Sequence, residues 1–241
     1  MKTKQKIINW IRQQVKQTKT KGVVFGLSGG LDSAVTAALC FRALGKKKAF
    51  ALILPCETKK QDLIDARLVV KKLGIIKIKS VDLGPVYKSC LKILPKANQV
   101  VRGNLKARLR MLTLYYFANQ LNYLVCGTSN KSEMLMGYFT KYGDGAEDIA
   151  PLGDLLKSQV KELAKALNIP GKIINKTPTA GLWPAQTDEG ELGISYRKLD
   201  DILLRLSRKQ RQIQPVRLVN KVKSRIKASE HKRQPPKICR I

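Results

Sequence analysis

The sequence predicts an α/β architecture: a parallel sheet flanked by helices on both faces. Three observations carry this. Short, wholly apolar runs alternate with segments of helical period, the pattern of strands buried on both sides. The first such run, Val23–Leu27, leads into the glycine turn Ser28-Gly29-Gly30-Leu31-Asp32-Ser33 and then into the apolar-periodic stretch Ala34–Leu44, which reads as strand, tight turn and helix. The 241 residues, 44% of them hydrophobic, are enough for one large domain with a sizeable core.

The elements follow in order. Ile8, Ile11 and Val15 give helical spacing to Asn9–Val15. Val23–Leu27 is the first strand, Ser33–Leu44 a helix ended by Gly45, and Ala49–Leu54 a second strand stopped by Pro55. Asp62–Leu73, apolar at Leu63, Ala66, Val69, Val70 and Leu73, is a helix closed by Gly74. Ile75–Val81 is a third strand, Val86–Leu94 a short helix, Val101–Leu121 a long one and Tyr123–Cys126 a fourth strand. Beyond it the pattern changes. Gly137–Pro151, rich in glycine and charge, reads as a loop. Asp154–Leu167 reads as a helix with Asp154 as N-cap and Pro170 past its end. Thr177–Ser195 is a second long loop, Tyr196–Leu206 and Gln212–Ile226 are helices, and His231–Ile241 is a basic tail. Ligands of parallel sheets gather at the carboxyl ends of the strands. The loops Ser28–Ser33, Pro55–Gln61 and Gly127–Glu133 are therefore expected to share one rim.

Composition excludes several classes. No apolar run approaches the roughly 20 residues of a membrane span, and Met1–Lys21 is too polar for a secretory signal. Five cysteines (Cys40, Cys56, Cys90, Cys126, Cys239) form no Cys-x-x-Cys pair, which argues against a disulfide framework, a zinc site or an iron–sulfur cluster and for reduced thiols in the cytoplasm. The formal net charge is +30. Such a surface attracts polyanions at low salt, but a general bias toward lysine is the better explanation, and a nucleic-acid partner is not expected.

The glycine turn carries the chemistry. Its two glycines let backbone N–H groups converge on an anion, and the helix behind them adds partial positive charge. Ser28 and Ser33 can donate hydroxyl hydrogen bonds to the same oxygens, and Asp32 suits a Mg²⁺ riding on phosphate. The Gly-Lys-Ser/Thr ending of a Walker A loop is missing. The turn resembles the pyrophosphate loop of enzymes that cleave ATP between the α- and β-phosphates, and it implies an adenine nucleotide alpha hydrolase-like, Rossmann-like fold.

Downstream motifs narrow the resemblance. Asn104–Arg110 reads NLKARLR, Gly127–Glu133 reads GTSNKSE, Gly137–Pro151 reads GYFTKYGDGAEDIAP, Lys176–Ala180 reads KTPTA and Gln186–Glu189 reads QTDE. In this order they resemble the ammonia-dependent NAD synthetase family, from about Trp10 to Pro236. The resemblance implies a C–N bond-forming ligase: ATP adenylates the nicotinate carboxylate of deamido-NAD, pyrophosphate leaves, and ammonia displaces AMP to give NAD. It implies Mg²⁺ held by Asp32 and Glu133, and ATP held by Gly26, Leu27, Ser28, Gly29, Gly30, Leu31, Asp32, Ser33, Thr128, Lys157 and Thr179. Asp32 and Lys157 are the expected catalytic pair. Arg108, Lys141, Asp148, His231 and Lys232 match positions that hold deamido-NAD. Read without the resemblance, Glu133 is a first-turn acid, Thr128 a helix N-cap, and Lys157 and His231 solvated residues. The resemblance also implies a homodimer and a single domain over 1–241 without a glutaminase domain, so that free ammonia or a separate partner supplies nitrogen. The apolar stretch MLTLYYFA on the long helix fits an interface. The alternative is a tRNA-modifying enzyme with the same loop. The net charge favours it; the absence of paired cysteines and the presence of GYFTKYGDG and KTPTA oppose it. The loop Pro55–Lys60, with two lysines, departs from the serine-rich form usual among relatives.

Overall fold

The computed structural model describes residues 2–210 and 214–240. Its centre is a sheet of four parallel strands, β1 (Gly22–Gly26), β2 (Ala49–Ile53), β3 (Ile78–Ser80) and β4 (Tyr123–Val125), in the order β3-β2-β1-β4. The register places Val23 beside Ala49 on one side and Leu124 on the other. β1 and β2 are the inner strands, buried along almost their whole length, as expected where both faces are covered. β3 is an edge strand, half-exposed and shorter than the expected Ile75–Val81. Lys77 and Lys79 leave it no continuous apolar row, and such charges suit an edge.

Side chains alternate across the sheet with a period of two. Val23 and Phe25 join a layer with α1 (Lys2–Gln17), α2 (Leu31–Lys48), α3 (Lys60–Leu73), α7 (Lys157–Ala166) and α8 (Gly171–Ile174), built around Ile11, Leu39, Leu167 and Ile173. Val24 faces the opposite layer, where Leu52, Tyr87, Leu109 and Ala118 pack beneath α4 (Gly84–Ile93) and α5 (Gln99–Leu121). A third cluster, with Met136, Leu192, Leu199 and Val222, joins α6 (Lys131–Met136), α9 (Asp188–Leu192), α10 (Tyr196–Ser207) and α11 (Val216–Ala228). Among the described residues no helix is long and apolar enough to cross a membrane.

Several boundaries differ from the sequence reading. The helix expected over Asn9–Val15 spans Lys2–Gln17. Gly45 does break α2, with φ 75°, but a further helical turn of lysines follows it. Asp154 is not an N-cap: it is exposed and pairs with Lys131 at 2.8 Å, while α7 starts at Lys157. A turn covers residues 151–154, and the free amides at the helix start find Gln159, Ser132 and Asp200 instead. The expected loop Thr177–Ser195 contains α9, whose N-cap is Thr187. Of the expected helix Gln212–Ile226, Gln212 and Ile213 lie outside the described residues, and α11 starts at Val216.

A staple fixes the glycine turn to its neighbour. The Lys176 ammonium donates to the Gly29 carbonyl at 3.2 Å, to Asp62 at 2.8 Å and to Asp65 at 2.7 Å. Lys172 reaches the other Asp65 oxygen at 2.9 Å. Burial alone would raise the Asp65 carboxyl, but hydrogen bonds from Lys176, Lys172 and Gln61 outweigh it and hold it at about 2. Its contribution to stability is therefore complete above the free carboxyl's value of about 4 and is lost as pH falls toward 2. Urea unfolding at about pH 6 and about pH 3 should show this loss in the wild type and a smaller one in Asp65→Asn. Lys176→Met should cost about 2–3 kcal/mol at neutral pH by leaving Asp62 without its cation and Asp65 with Lys172 and Gln61 alone.

Candidate active site

The loops after β1, β2 and β4 share one rim, as the topology requires. With α5 and parts of residues 176–191 they line a cleft of about 430 Å³. Gly26, Leu27, Ser28, Gly30, Leu31, Asp32, Ser33, Thr128, Glu133, Lys157, Thr179 and Lys232 all reach it. Gly29 does not, and its role is steric: φ is +79° and a Cβ would stand 2.4 Å from the Asp62 carbonyl, so only glycine lets the turn lie against α3.

The turn is preorganised by its own hydroxyls. Ser28 and Ser33 lie 3.1 Å apart at Oγ, the Gly30 N–H donates to Ser28 Oγ, and Ser33 Oγ donates to the Gly30 carbonyl. α2 begins at Leu31 with Gly30 as an N-cap that offers no side chain. Its first-turn amides are thus available to an anion.

Beside the turn lies an ion cluster. The Lys157 ammonium, 7% exposed, bonds Asp32 at 2.5 Å and Glu133 at 2.9 Å. Each member is held by a different element. Asp32 sits in the first turn of α2 and accepts from Asn130 Nδ2 at 3.1 Å. Glu133 closes a capping box with Asn130 at the start of α6. Lys157 opens α7, where its N–H donates to Ser132 Oγ and the Ser158 N–H donates to Asp200. Burial pushes the Glu133 carboxyl up to about 7 against the opposing pull of Lys157. Burial alone would lower the Lys157 ammonium, but Asp32 and Glu133 raise it, so it stays charged.

Lys157 thus contacts carboxylates here, where the sequence reading put it on phosphate. Thr128 is free of capping duty, since Asn130 is the N-cap of α6. The Thr179 hydroxyl donates to the Gln186 carbonyl at 2.7 Å, and both residues line the cleft. In the loop after β2, Cys56 is buried, Glu57 pairs with Lys106 at 2.8 Å, and Arg110 of α5 bonds the Leu54 carbonyl and Thr58.

Arg108, Lys141 and His231 lie outside the cleft and contact one another. Arg108 donates to the Lys141 carbonyl at 3.2 Å, and Lys141 Nζ to the His231 carbonyl at 2.6 Å. The neighbouring Lys232 ammonium holds the carbonyls of Gly137 and Phe139, both at 2.8 Å. Asp148 accepts from the Val125 N–H and Tyr115 hydroxyl, so its carboxylate braces the end of β4.

Sequence reasoning gave no role to Asp188, within QTDE. It is 4% exposed and lines the cleft, one oxygen accepts from the Tyr196 hydroxyl at 3.1 Å, and the other has no partner. Asn130 and Lys176 lie within the motifs GTSNKSE and KTPTA, where nothing marks them out. Spacing cannot show their partners, which lie 98 and 147 residues away.

Comparison with known proteins bears on this site. A family model described as NAD synthase matches residues 3–236. The NH(3)-dependent NAD(+) synthetase of Archaeoglobus fulgidus is 43% identical over 242 residues, covering 100% of this chain and 97% of that protein. Among solved structures, an NMN synthetase from Francisella tularensis has a TM-score of 0.91 and 39% identity, covering 100% of this chain and 98% of its own. An NH3-dependent NAD synthetase from Campylobacter jejuni, in complex with the nitrate ion, has a TM-score of 0.86 and 34% identity, covering 99% and 98%.

Asn130 offers a clean dissection. Asn130→Ala should lose the cap of α6 and the bond to Asp32, costing about 1–2 kcal/mol in denaturant unfolding. Asn130→Ser should keep most of the cap and recover most of that stability, while the lost bond to Asp32 still impairs the site. Equal stability of the two variants would show that the cap contributes little.

Proposed function

This chain belongs to the NAD synthase family, and from that premise we propose that it amidates deamido-NAD to NAD with ATP and ammonia. The observation that carries the reading is the Asp32–Lys157–Glu133 cluster at the foot of the glycine turn. A carboxylate is a poor acyl donor because oxide would have to leave. Attack of the nicotinate oxygen on the α-phosphorus of ATP expels pyrophosphate and turns that oxygen into part of a good leaving group. Ammonia then adds to the acyl carbon, AMP departs with the oxygen, and the nitrogen sheds its surplus proton. No covalent enzyme nucleophile is needed. The chain has to position the reactants and neutralise phosphate charge.

The residues suit those tasks. Ser28, Ser33 and the first-turn amides of α2 would cradle the departing pyrophosphate, with Gly26 to Asp32, Thr128 and Thr179 along the nucleotide. Lys157 would counter the charge that builds on the leaving group. Asp32 and Glu133 present the carboxylate oxygens that Mg²⁺ prefers, and the unpartnered oxygen of Asp188 beside them fits a cationic site. Among the described residues no three His, Cys, Asp or Glu side chains form a protein-only metal cage, in keeping with an ion that takes the rest of its ligands from phosphate and water. Bound there, Mg²⁺ would supply phosphate charge neutralisation.

Arg108, Lys141, Asp148, His231 and Lys232 would hold deamido-NAD. Arg108, Lys141 and His231 stand apart from the ATP cleft, which supports a second nucleotide reaching beyond it. The likeness to an NMN synthetase favours one second reading, in which the acid substrate is the mononucleotide. The tRNA-modifying alternative has no such support. Exposed Val101, Leu112 and Tyr116 on α5 support assembly as a homodimer through that helix. A single domain over 1–241, working in the cytoplasm on ammonia that is free or supplied by a separate partner, completes the proposal.

The test is product formation from ATP and Mg²⁺ with deamido-NAD or its mononucleotide counterpart, and ammonium or glutamine as donor. NAD, AMP and pyrophosphate from deamido-NAD and ammonium are expected; preference for the mononucleotide would overturn the dinucleotide assignment. Asp32→Ala and Glu133→Ala should lower kcat by about a hundredfold or more. Arg108→Ala should mainly raise KM for the dinucleotide, by about tenfold.

A further inference from the structure

Three carboxylates surround one ammonium in this cleft. Asp32 and Glu133 bind Lys157 directly. Asp188 does not, yet it belongs to the same cluster: the Tyr196 hydroxyl lies 3.3 Å from Glu133 Oε1 and 3.1 Å from Asp188 Oδ2, so a single oxygen spans them. Among the described residues the other Asp188 oxygen is buried with no hydrogen-bond partner within bonding distance; the nearby Tyr138 hydroxyl is committed to Glu191 at 2.6 Å. Leaving a buried carboxylate oxygen unpaired is costly. The cation that acts on it is Lys157, whose ammonium also lies 5.0 Å from the Tyr196 ring centroid.

Charge fixes what is missing. Fully ionised, Asp32, Glu133 and Asp188 carry three negative charges against one positive on Lys157, a deficit that one divalent cation would balance. Lys157 and a divalent cation also compete, because the ammonium already takes one oxygen of each expected metal ligand. For both cations to remain, Lys157 must yield Asp32 and Glu133 and find another carboxylate within its reach.

We propose that Asp188 is the third carboxylate of this cation site: its unpartnered oxygen retains Lys157 when a divalent cation takes Asp32 and Glu133. Asp188 is then a positioning residue, keeping the ammonium at the phosphates after it leaves its present partners. Lys157 in turn guards the site against a bare metal ion, so that the ion enters together with a nucleotide. The inference rests on the metal-dependent reading above.

The test is binding of Mn²⁺, read by electron paramagnetic resonance on the full chain, alone and with a non-hydrolysable ATP analogue. Lys157→Met should bind Mn²⁺ alone at least about tenfold more tightly than wild type, because the competing ammonium is gone. Asp188→Asn, nearly isosteric, should weaken Mn²⁺ binding in the presence of the analogue by about tenfold. Tyr196→Phe controls for structure: it removes the hydroxyl that holds Asp188 but leaves the carboxylate, and it should retain near wild-type Mn²⁺ affinity. Unchanged affinity in Asp188→Asn, or an equal loss in Tyr196→Phe, would overturn the proposal. If Lys157→Met is too unstable to purify, Lys157→Gln serves in its place, and no gain over wild type would be equally decisive against it. Failure to form NAD with these Mn²⁺ responses intact would count against the choice of acid substrate alone.

Discussion

The rest of the site depends on the Lys157 ammonium lying between Asp32 and Glu133. A buried ion pair is a weak source of net stability, because desolvation consumes most of the Coulombic gain, yet removing one partner is strongly destabilising. Such a group therefore fixes geometry more than it adds stability. Here it ties together the first turn of α2, the capping box of α6 and the first residue of α7. Those three helix starts converge on one point, and so do their dipoles. Their positive ends offset part of the cost of collecting carboxylates there.

The sheet explains how three distant segments can meet. β1 and β4 are neighbours, so the turn after β1 and the loop after β4 emerge side by side at their carboxyl ends. α7 then lies against α2 in the same layer, bringing Lys157 over the turn. On the opposite side of the turn, Lys176 draws the Gly29 carbonyl toward Asp62 and Asp65 of α3. The glycine turn is thus held at both flanks by lysine–carboxylate clusters. Its hydroxyls and amides need no large rearrangement to meet a polyphosphate, which is the condition for electrostatic preorganisation.

What was legible in the sequence follows from the range of the forces involved. The strand–turn–helix unit at Val23–Leu44 is local: its apolar runs, glycines and Asp32 all lie within one short window, and both its architecture and its place on the rim could be read directly. The same holds for the closure of α3 by Gly74, which adopts the left-handed conformation with φ 61°. The start of α7 was misplaced because Asp154 is a good N-cap by residue type, whereas the amides it would have satisfied are taken by Ser132 and Asp200, the latter 42 residues further along the chain from Ser158. A residue's type announces capacity; only tertiary structure assigns the partner. Asp188 is the extreme case, an acid that reads as an ordinary first-turn residue of a short helix and whose distinctive property, an unpaired buried oxygen, has no sequence signature.

The net charge of +30 makes the few acids informative. Residues 1–31 contain no Asp or Glu, and Asp32 is the first carboxylate of the chain. A surface so rich in cations has no shortage of long-range attraction for anionic nucleotides. What it lacks is any means of holding a cation against one particular phosphate, and that requires carboxylates shielded from the surplus. Among the described residues the buried ones are Asp65, Asp188 and Asp200. Asp65 anchors the lysine that holds the glycine turn, Asp200 anchors the first amides of α7, and Asp188 faces the cleft beside Lys157. In a chain biased so strongly toward positive charge, these three buried acids each fix a part of the cleft: the glycine turn through Lys176, the start of α7 through its amides, and the surroundings of Lys157.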